Sequence, residues 1–219
     1  MNKEDNNINT KLELALKNHR ENNFLLAEKF YKEVLLYSPN HLGGIFNLAT
    51  LYAQLKKFDK AKELFFKANN IKPLDLNINL NLGNIFFETG HFEKALKYFE
   101  NLTKINSKFV LAHYNKGIVL NNLKKYKNAN ECFKKVIELE PKNLACFNII
   151  AKNLIELSQY DEAIFYLRNS LKIDQKNILT IKILTELFSS FELSKLKEKE
   201  KDNVKDLFIF LLKKNSINH

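Results

Sequence analysis

Residues 42–75 read LGGIFNLATLYAQLKKFDKAKELFFKANNIKPLD, and this stretch decides the fold class. Apolar residues recur three and four apart in its first half, at Ile45, Leu48, Ala49 and Tyr52. That spacing forms one apolar face of a helix. Two lysines interrupt the pattern, it resumes at Phe58, and Pro73 ends it because proline lacks the amide donor. The stretch therefore predicts two helices joined by a short turn.

The same pattern returns every 34 residues along the chain. An alanine marks each return, at Ala27, Ala61, Ala95, Ala129 and Ala163. An aromatic residue precedes each alanine by three positions, at Phe24, Phe58, Phe92, Tyr126 and Tyr160. Small residues also recur in the first helix of each repeat, at Ala15, Ala49, Gly83, Gly117 and Ala151. Because two helices approach closely only where both present little side chain, these positions predict a stack of tightly packed helix pairs.

This grid resembles the tetratricopeptide repeat, whose consensus combines a leucine, a small residue and a tyrosine in the first helix with Ala, Phe, Ala and Pro in the second. Residues 42–75 match nearly throughout, whereas Lys116 replaces the leucine of the fourth repeat and Gln175 the proline of the fifth. The resemblance implies an all-α fold, a right-handed α-solenoid of stacked antiparallel helix pairs with a C-terminal helical cap.

The grid also sets the expected organisation of the chain. A polar tail, 1–7, precedes five repeats at 8–41, 42–75, 76–109, 110–143 and 144–177. A degenerate sixth hairpin with capping helices follows at 178–214, and a short tail closes the sequence at 215–219. We expect one repeat domain and no separate catalytic domain within these residues.

Composition restricts the class of partner. The formal net charge is +10, but Arg20 and Arg168 are the only arginines of the chain. Arginine is the side chain that binds phosphate through two parallel hydrogen bonds. We therefore expect solvated lysine faces and no nucleic-acid partner, with electrostatic steering of an acidic protein as the alternative.

The same residues indicate a compartment. No apolar run reaches the roughly 18 residues needed to span a bilayer. Residues 1–9 are too polar for an ordinary secretory signal peptide. Cys132 and Cys146 lack metal-type spacing, so buried reduced thiols are the expected state. Together these features predict a cytoplasmic protein without a membrane span.

A row of asparagines is the candidate binding site. Helical-repeat stacks expose their first helices on a concave face that holds extended partners. Asn47, Asn81 and Asn115 occupy one equivalent position on three consecutive first helices. A carboxamide pairs with both the C=O and the N–H of a peptide bond, so such a row suits an extended backbone of any sequence. Further residues are expected to line the same groove, namely Thr50, Asn84, Tyr114 and Asn122.

The row resembles that of the superhelical repeats of O-linked N-acetylglucosamine transferases, where it holds acceptor peptides. The resemblance covers three positions, because Glu13 and Ile149 take the slot in the first and fifth repeats. It implies a protein–protein interaction scaffold that binds an extended peptide or partner protein. The alternative is the acceptor-recruiting arm of a larger glycosyl-, sulfo- or methyltransferase. A purely structural role of asparagines in an asparagine-rich chain is the third possibility.

Catalysis and cofactors have no support in the sequence. None of the five histidines is paired with another at a metal-binding helical spacing, and no phosphate-binding glycine loop is present. We therefore predict no enzyme activity, no cofactor and no metal site. The lysines with which co-chaperone repeats clamp a terminal carboxylate are also missing, since Phe46 and Leu80 stand at the required positions.

An unusual segment follows the last repeat. Residues 207–212 read LFIFLL, and residues 204–212 are expected to form a helix that is apolar on several sides. Such a helix at the end of a stack predicts docking against a following domain, a second copy or a partner. The residues expected to carry this contact are Leu207, Phe208, Phe210 and Leu211. The alternative is that part of it packs back on the sixth hairpin.

Overall fold

The computed structural model describes residues 3–190. Within this range it contains eleven α-helices. Their bounds are α1 Lys3–Arg20, α2 Phe24–Tyr37, α3 Leu42–Gln54, α4 Phe58–Ile71, α5 Leu76–Glu88, α6 Phe92–Ile105, α7 Val110–Asn122, α8 Tyr126–Leu139, α9 Leu144–Glu156, α10 Tyr160–Ile173 and α11 Ile178–Ser190. The predicted helix at 204–212 lies outside the described residues.

The chain divides into two compact units, Met1–Ala112 and His113–His219. In the N-terminal unit, α1 packs against α2, α3 against α4 and α5 against α6, and each pair packs on the next. In the C-terminal unit, α9 packs against both α8 and α10, and α11 lies against α9 and α10. The predicted fold class, an all-α stack of antiparallel helix pairs, is confirmed.

Small residues allow the two helices of a pair to approach. Ala61 and Ala68 of α4 are fully buried, and Phe65 between them is equally buried. A Cβ atom added to Gly83 of α5 would lie 2.7 Å from Cε1 of Phe99 in α6. Real Cβ atoms do not approach carbon that closely, so the ring occupies the space that a side chain at residue 83 would need. The predicted role of the small residues is confirmed at this position.

The turns within the helix pairs share one backbone feature. Five residues spaced 34 apart have positive φ angles, namely Asn22 (61°), Lys56 (56°), Gly90 (77°), Lys124 (56°) and Ser158 (58°). This left-handed conformation ends a helix cheaply at glycine and at moderate cost at asparagine, whereas in most other residues Cβ crowds the backbone. The turns at Lys56, Lys124 and Ser158 therefore carry local strain that glycine would remove.

This strain gives a testable prediction. We expect Ser158→Gly to raise the stability of the protein by about 1 kcal/mol and Gly90→Ala to lower it by about the same amount. A Cβ at residue 90 meets nothing within 4 Å, so backbone strain is the only cause at that site. Urea denaturation followed by circular dichroism measures both changes. Equal stability of Gly90→Ala and wild type would contradict the strain argument.

The C-terminal unit buries two clusters of polar side chains. In the Asn153 cluster, Nδ2 of Asn153 donates to Oδ1 of Asn121 at 2.8 Å and to Oδ1 of Asn130 at 2.7 Å. These three residues link α9 to α7 and α8. The Thr180 cluster links α11 to α9 and α10 and comprises Asn148, Ser170, Asn177 and Thr180. Asn148, Asn153, Ser170 and Thr180 are all buried, so the hydrogen bonds of Asn153 to Asn130 and of Thr180 to Ser170 and Asn148 are made away from water.

Candidate functional site

The first helices of the pairs contact one another within each unit. In the N-terminal unit α3 contacts both α1 and α5, and in the C-terminal unit α9 contacts α11. We call the solvent-facing side of these helices the A-helix face. It carries the asparagines that the sequence singles out, and each unit presents its own part of it.

In the N-terminal unit the A-helix face contains the first two asparagines of the row. Asn47 lies on α3 and Asn81 lies on α5, and both are half-buried. Nδ2 of Asn47 donates to the backbone oxygen of Gly43 at 2.8 Å, and Nδ2 of Asn81 donates to that of Asn77 at 2.8 Å. Each side chain therefore uses one N–H on its own helix, which holds the amide in one orientation and leaves its oxygen and second N–H for a ligand.

The neighbouring residues of this unit are also polar. Thr50 and Asn84 are half-buried on α3 and α5, one turn after the two asparagines. The hydroxyl of Thr50 donates to the backbone oxygen of Phe46 at 2.9 Å. This part of the face thus offers uncharged hydrogen-bonding groups at the positions that the sequence predicts.

In the C-terminal unit the predicted residues lie on α7 and differ in burial. Asn115 is half-buried, and Asn122 is exposed and donates to the backbone oxygen of Ile118 at 2.9 Å. The ring of Tyr114 packs edge-on against Phe133, with 5.8 Å between the ring centroids. Burial, together with the nearby Cys146, raises the pKa of Tyr114, so its hydroxyl stays a neutral donor at ordinary pH.

A histidine on α1 adds a polar group that the sequence analysis did not select. Nε2 of His19 lies 2.9 Å from Oε1 of Gln54, and its Nδ1 lies 3.2 Å from the hydroxyl of Tyr31. Tyr31 is fully buried, and burial raises its pKa to about 12. This contact ties α1 to α2 and α3, so His19 supports the packing of the first two repeats.

The C-terminal unit has a cavity that the asparagine row does not predict. It lies between α9 and α11 and has a volume of about 320 Å³. Its lining is partly aliphatic and partly charged, and comprises Lys152, Ile155, Glu156, Ile183, Glu186 and Leu187. Ile183 and Leu187 are buried and form the floor, whereas Lys152 and the two glutamates are exposed at the rim. The sequence contained an indication of this cavity. Lys152 and Glu186 occupy the same position of the 34-residue grid as Thr50 and Asn84, which were expected to line the groove.

The described residues also bear on the expectations for metal sites, cysteines and membrane spans. Among residues 3–190, no group of three or more His, Cys, Asp or Glu side chains could hold a metal ion. Cys132 and Cys146 are buried and not disulfide-bonded, as the sequence predicts. In the same range, no helix is both long enough and apolar enough to cross a membrane.

The buried thiol gives a second prediction. Burial, with a smaller contribution from Glu140, raises the pKa of Cys146 to about 12. Since the thiolate is the reactive form, folded protein should resist alkylation of Cys146 by iodoacetamide through the mildly alkaline range. Unfolding in urea should expose the residue and restore ordinary reactivity, and peptide mass spectrometry reports the modified fraction. Rapid alkylation of Cys146 in the folded protein would contradict its burial.

Comparison with known proteins places the fold in a family. A family model described as tetratricopeptide repeat matches residues 43–73. A second, described as anaphase-promoting complex, cyclosome, subunit 3, matches residues 88–170. No curated protein matches the chain. These matches, with the repeat grid and the packing of the helix pairs, define the class as a helical-repeat scaffold. The chain is a tetratricopeptide repeat protein.

Solved structures are similar in fold. The crystal structure of MamA has a TM-score of 0.71 and 21% identity, over 77% of this chain and 92% of that chain. YrrB, a TPR protein with an unusual peptide-binding site, has a TM-score of 0.68 and 19% identity, over 81% and 91%. PilF of Pseudomonas aeruginosa has a TM-score of 0.69 and 19% identity, over 82% of each chain. At these identities the likeness shows the fold alone.

Proposed function

We propose that this protein is an interaction scaffold whose A-helix face binds an extended segment of a partner protein. Asn47, Asn81 and Asn115 pair with the backbone of that segment. Thr50, Asn84, Tyr114 and Asn122 lie beside them and complete the polar surface. The observation that carries the proposal is the fixed orientation of the amides of Asn47 and Asn81, each held by a 2.8 Å hydrogen bond to its own helix.

An amide oriented in advance loses less conformational entropy when it binds. Ordering a mobile, rotamer-rich side chain at an interface costs about 0.5–1.5 kcal/mol. Asn47 and Asn81 have met part of that cost in the free protein, because one N–H is already engaged. The remaining oxygen and N–H match the donor and acceptor of a peptide bond, whatever side chain the partner carries. The fold class supports the proposal, and so does the peptide-binding site of the structural neighbour YrrB.

Alanine substitution of the row tests this proposal. The chain is used to capture partners from a lysate, a captured protein is identified, and its affinity is measured for wild type and for Asn47→Ala/Asn81→Ala/Asn115→Ala. Each lost hydrogen bond should cost about 0.5–1.5 kcal/mol, so the triple variant should bind at least about tenfold more weakly. Circular dichroism should show unchanged helicity.

A matched control keeps the substitution chemistry the same. Asn70, Asn101 and Asn128 are exposed on the second helices α4, α6 and α8. Their triple replacement by alanine should leave the affinity within about twofold of wild type, as surface changes outside an interface usually do. Equal effects of the two triple variants would reject the asparagine row as the binding site.

Two further parts of the proposal concern the whole chain. A cytoplasmic location is part of the proposal, and the buried, unpaired cysteines Cys132 and Cys146 support it. Self-association or domain docking through Leu207, Phe208, Phe210 and Leu211 rests on their consecutive apolar character, and these residues lie outside the described range. Light scattering of wild type and of Phe208→Asp/Leu211→Asp tests the second point, since a dimer formed through this segment would dissociate.

A further inference from the structure

The two units differ in chemistry at equivalent positions of the A-helix face. In the N-terminal unit the six positions between α3 and α5 are uncharged, and comprise Thr50, Ala53, Gln54, Asn81, Asn84 and Ile85. The corresponding positions between α9 and α11, three repeats later on the grid, are the six residues that line the cavity. Amides and a hydroxyl in one unit are thus replaced by aliphatic and charged side chains in the other.

The charge of the cavity is opposite to that of the chain. The protein as a whole carries +10, whereas the cavity lining carries two carboxylates and one ammonium group. Glu186 is 3.8 Å from Lys182 in an ion pair whose side chains are 63% and 69% exposed. Exposed pairs of this kind contribute about 0–1 kcal/mol, so a cation from a partner can compete for the glutamate.

We propose that this cavity, which we call the Glu156/Glu186 cavity, selects an aliphatic side chain flanked by lysine or arginine in the bound segment. This inference rests on the proposed function and adds which kind of segment the scaffold selects. The aliphatic side chain contacts Ile155, Ile183 and Leu187. The flanking cations approach Glu156 and Glu186 at the rim. The volume of about 320 Å³ lies at the lower end of the range for ligand sites, which suits one side chain rather than a whole small molecule.

The two kinds of surface then have different tasks. Backbone-directed amides bind a segment without reading its side chains, so they cannot distinguish one partner from another. An apolar floor with carboxylates at its rim does distinguish, because an acidic neighbour is repelled and a polar side chain on the floor loses its hydration. The cavity therefore supplies the selectivity that the asparagine row lacks.

Three synthetic peptides of matched length test the inference. Fluorescein-labelled Gly-Ser-Lys-Leu-Lys-Ser-Gly is compared with versions that carry Glu-Leu-Glu or Lys-Ser-Lys at the centre. Fluorescence anisotropy at low ionic strength measures each affinity for the full chain. We expect the Lys-Leu-Lys peptide to bind at least about tenfold more tightly than either of the others.

Glutamine variants, which remove negative charges, show whether the cavity causes the peptide preference. In Glu156→Gln/Glu186→Gln the affinity for the Lys-Leu-Lys peptide should exceed that for the Glu-Leu-Glu peptide by about twofold or less, because the rim no longer discriminates by charge. Glu131→Gln/Glu138→Gln makes the same change of charge on α8, where both glutamates are ion-paired with neighbouring lysines. This control should keep the full preference.

The outcomes separate this inference from the proposed function. Equal binding of the three peptides, no detectable binding, or equal effects of the two glutamine variants would each overturn the cavity as a selective site. Failure of the asparagine row instead appears in the alanine triple variant. If that variant binds the captured partner like wild type and still prefers the Lys-Leu-Lys peptide, the row is rejected and the cavity stands.

Discussion

Gly83→Val is expected to destabilise the N-terminal unit by about 2–3 kcal/mol, because it overpacks a closed helix crossing. The first atom of the new side chain would already lie 2.7 Å from Cε1 and 2.9 Å from Cζ of Phe99. That ring is 1% exposed and has little room to move away. Valine adds two methyl groups beyond the clashing atom. Valine has a higher helix propensity than glycine, but this gain of about 0.5 kcal/mol is smaller than the loss from overpacking.

Urea denaturation followed by circular dichroism should show this loss as a lower midpoint. Gly43→Val is the control, since a Cβ at that position has its nearest contact at 3.4 Å, with the side chain of His41. We expect it to change stability by about 1 kcal/mol or less. If both variants unfold at the same urea concentration, close packing at Gly83 does not determine the stability of this unit.

Asn153→Ala is expected to destabilise the C-terminal unit by about 2–3 kcal/mol. The side chain donates to Asn121 and Asn130, and Asn130 is 4% exposed. Removing the donor leaves a buried carbonyl oxygen without a partner and a small void beside it. Because a buried polar group costs most when it is left alone, the loss should exceed that of truncating an exposed asparagine.

A triple variant separates the hydrogen bonds from simple packing. Asn121→Ala/Asn130→Leu/Asn153→Ile removes every member of the cluster and fills the space with apolar atoms. Since exchanging all partners for apolar groups can be nearly neutral, this variant should be more stable than Asn153→Ala. Thermal unfolding by calorimetry gives the comparison. If the triple variant is less stable than Asn153→Ala, packing shape rather than hydrogen bonding determines the stability of this region.

The sequence predicted the helices well because their determinants are local. The alanines at 34-residue intervals, the apolar spacing and Pro73 all act through helix geometry or close helix contact, and neither depends on distant parts of the chain. The need for a small residue at Gly83 was also predictable, since a large aromatic partner stands 16 residues later in the same repeat.

The roles of individual asparagines were less predictable. Asn47 and Asn153 are the same residue type on equivalent first helices, yet one is half-buried at the A-helix face and the other is 3% exposed inside a hydrogen-bonded cluster. Their difference arises from which neighbours tertiary packing brings within 3 Å. The cavity between α9 and α11 was missed for a related reason, because a search for repeated asparagines passes over positions where the grid places aliphatic and acidic residues.

The Asn153 cluster also bears on how such a chain can evolve. A repeat array can change its copy number when recombination removes one segment between similar stretches. If residues 76–143 were lost, Asn153 would follow the repeat at 42–75 and face Ala53 and Lys62, which stand where Asn121 and Asn130 stand now. The amide of Asn153 would then be buried without the two asparagines to which it now donates. We therefore expect a chain that has lost these two repeats to be less stable at the new junction than the present chain.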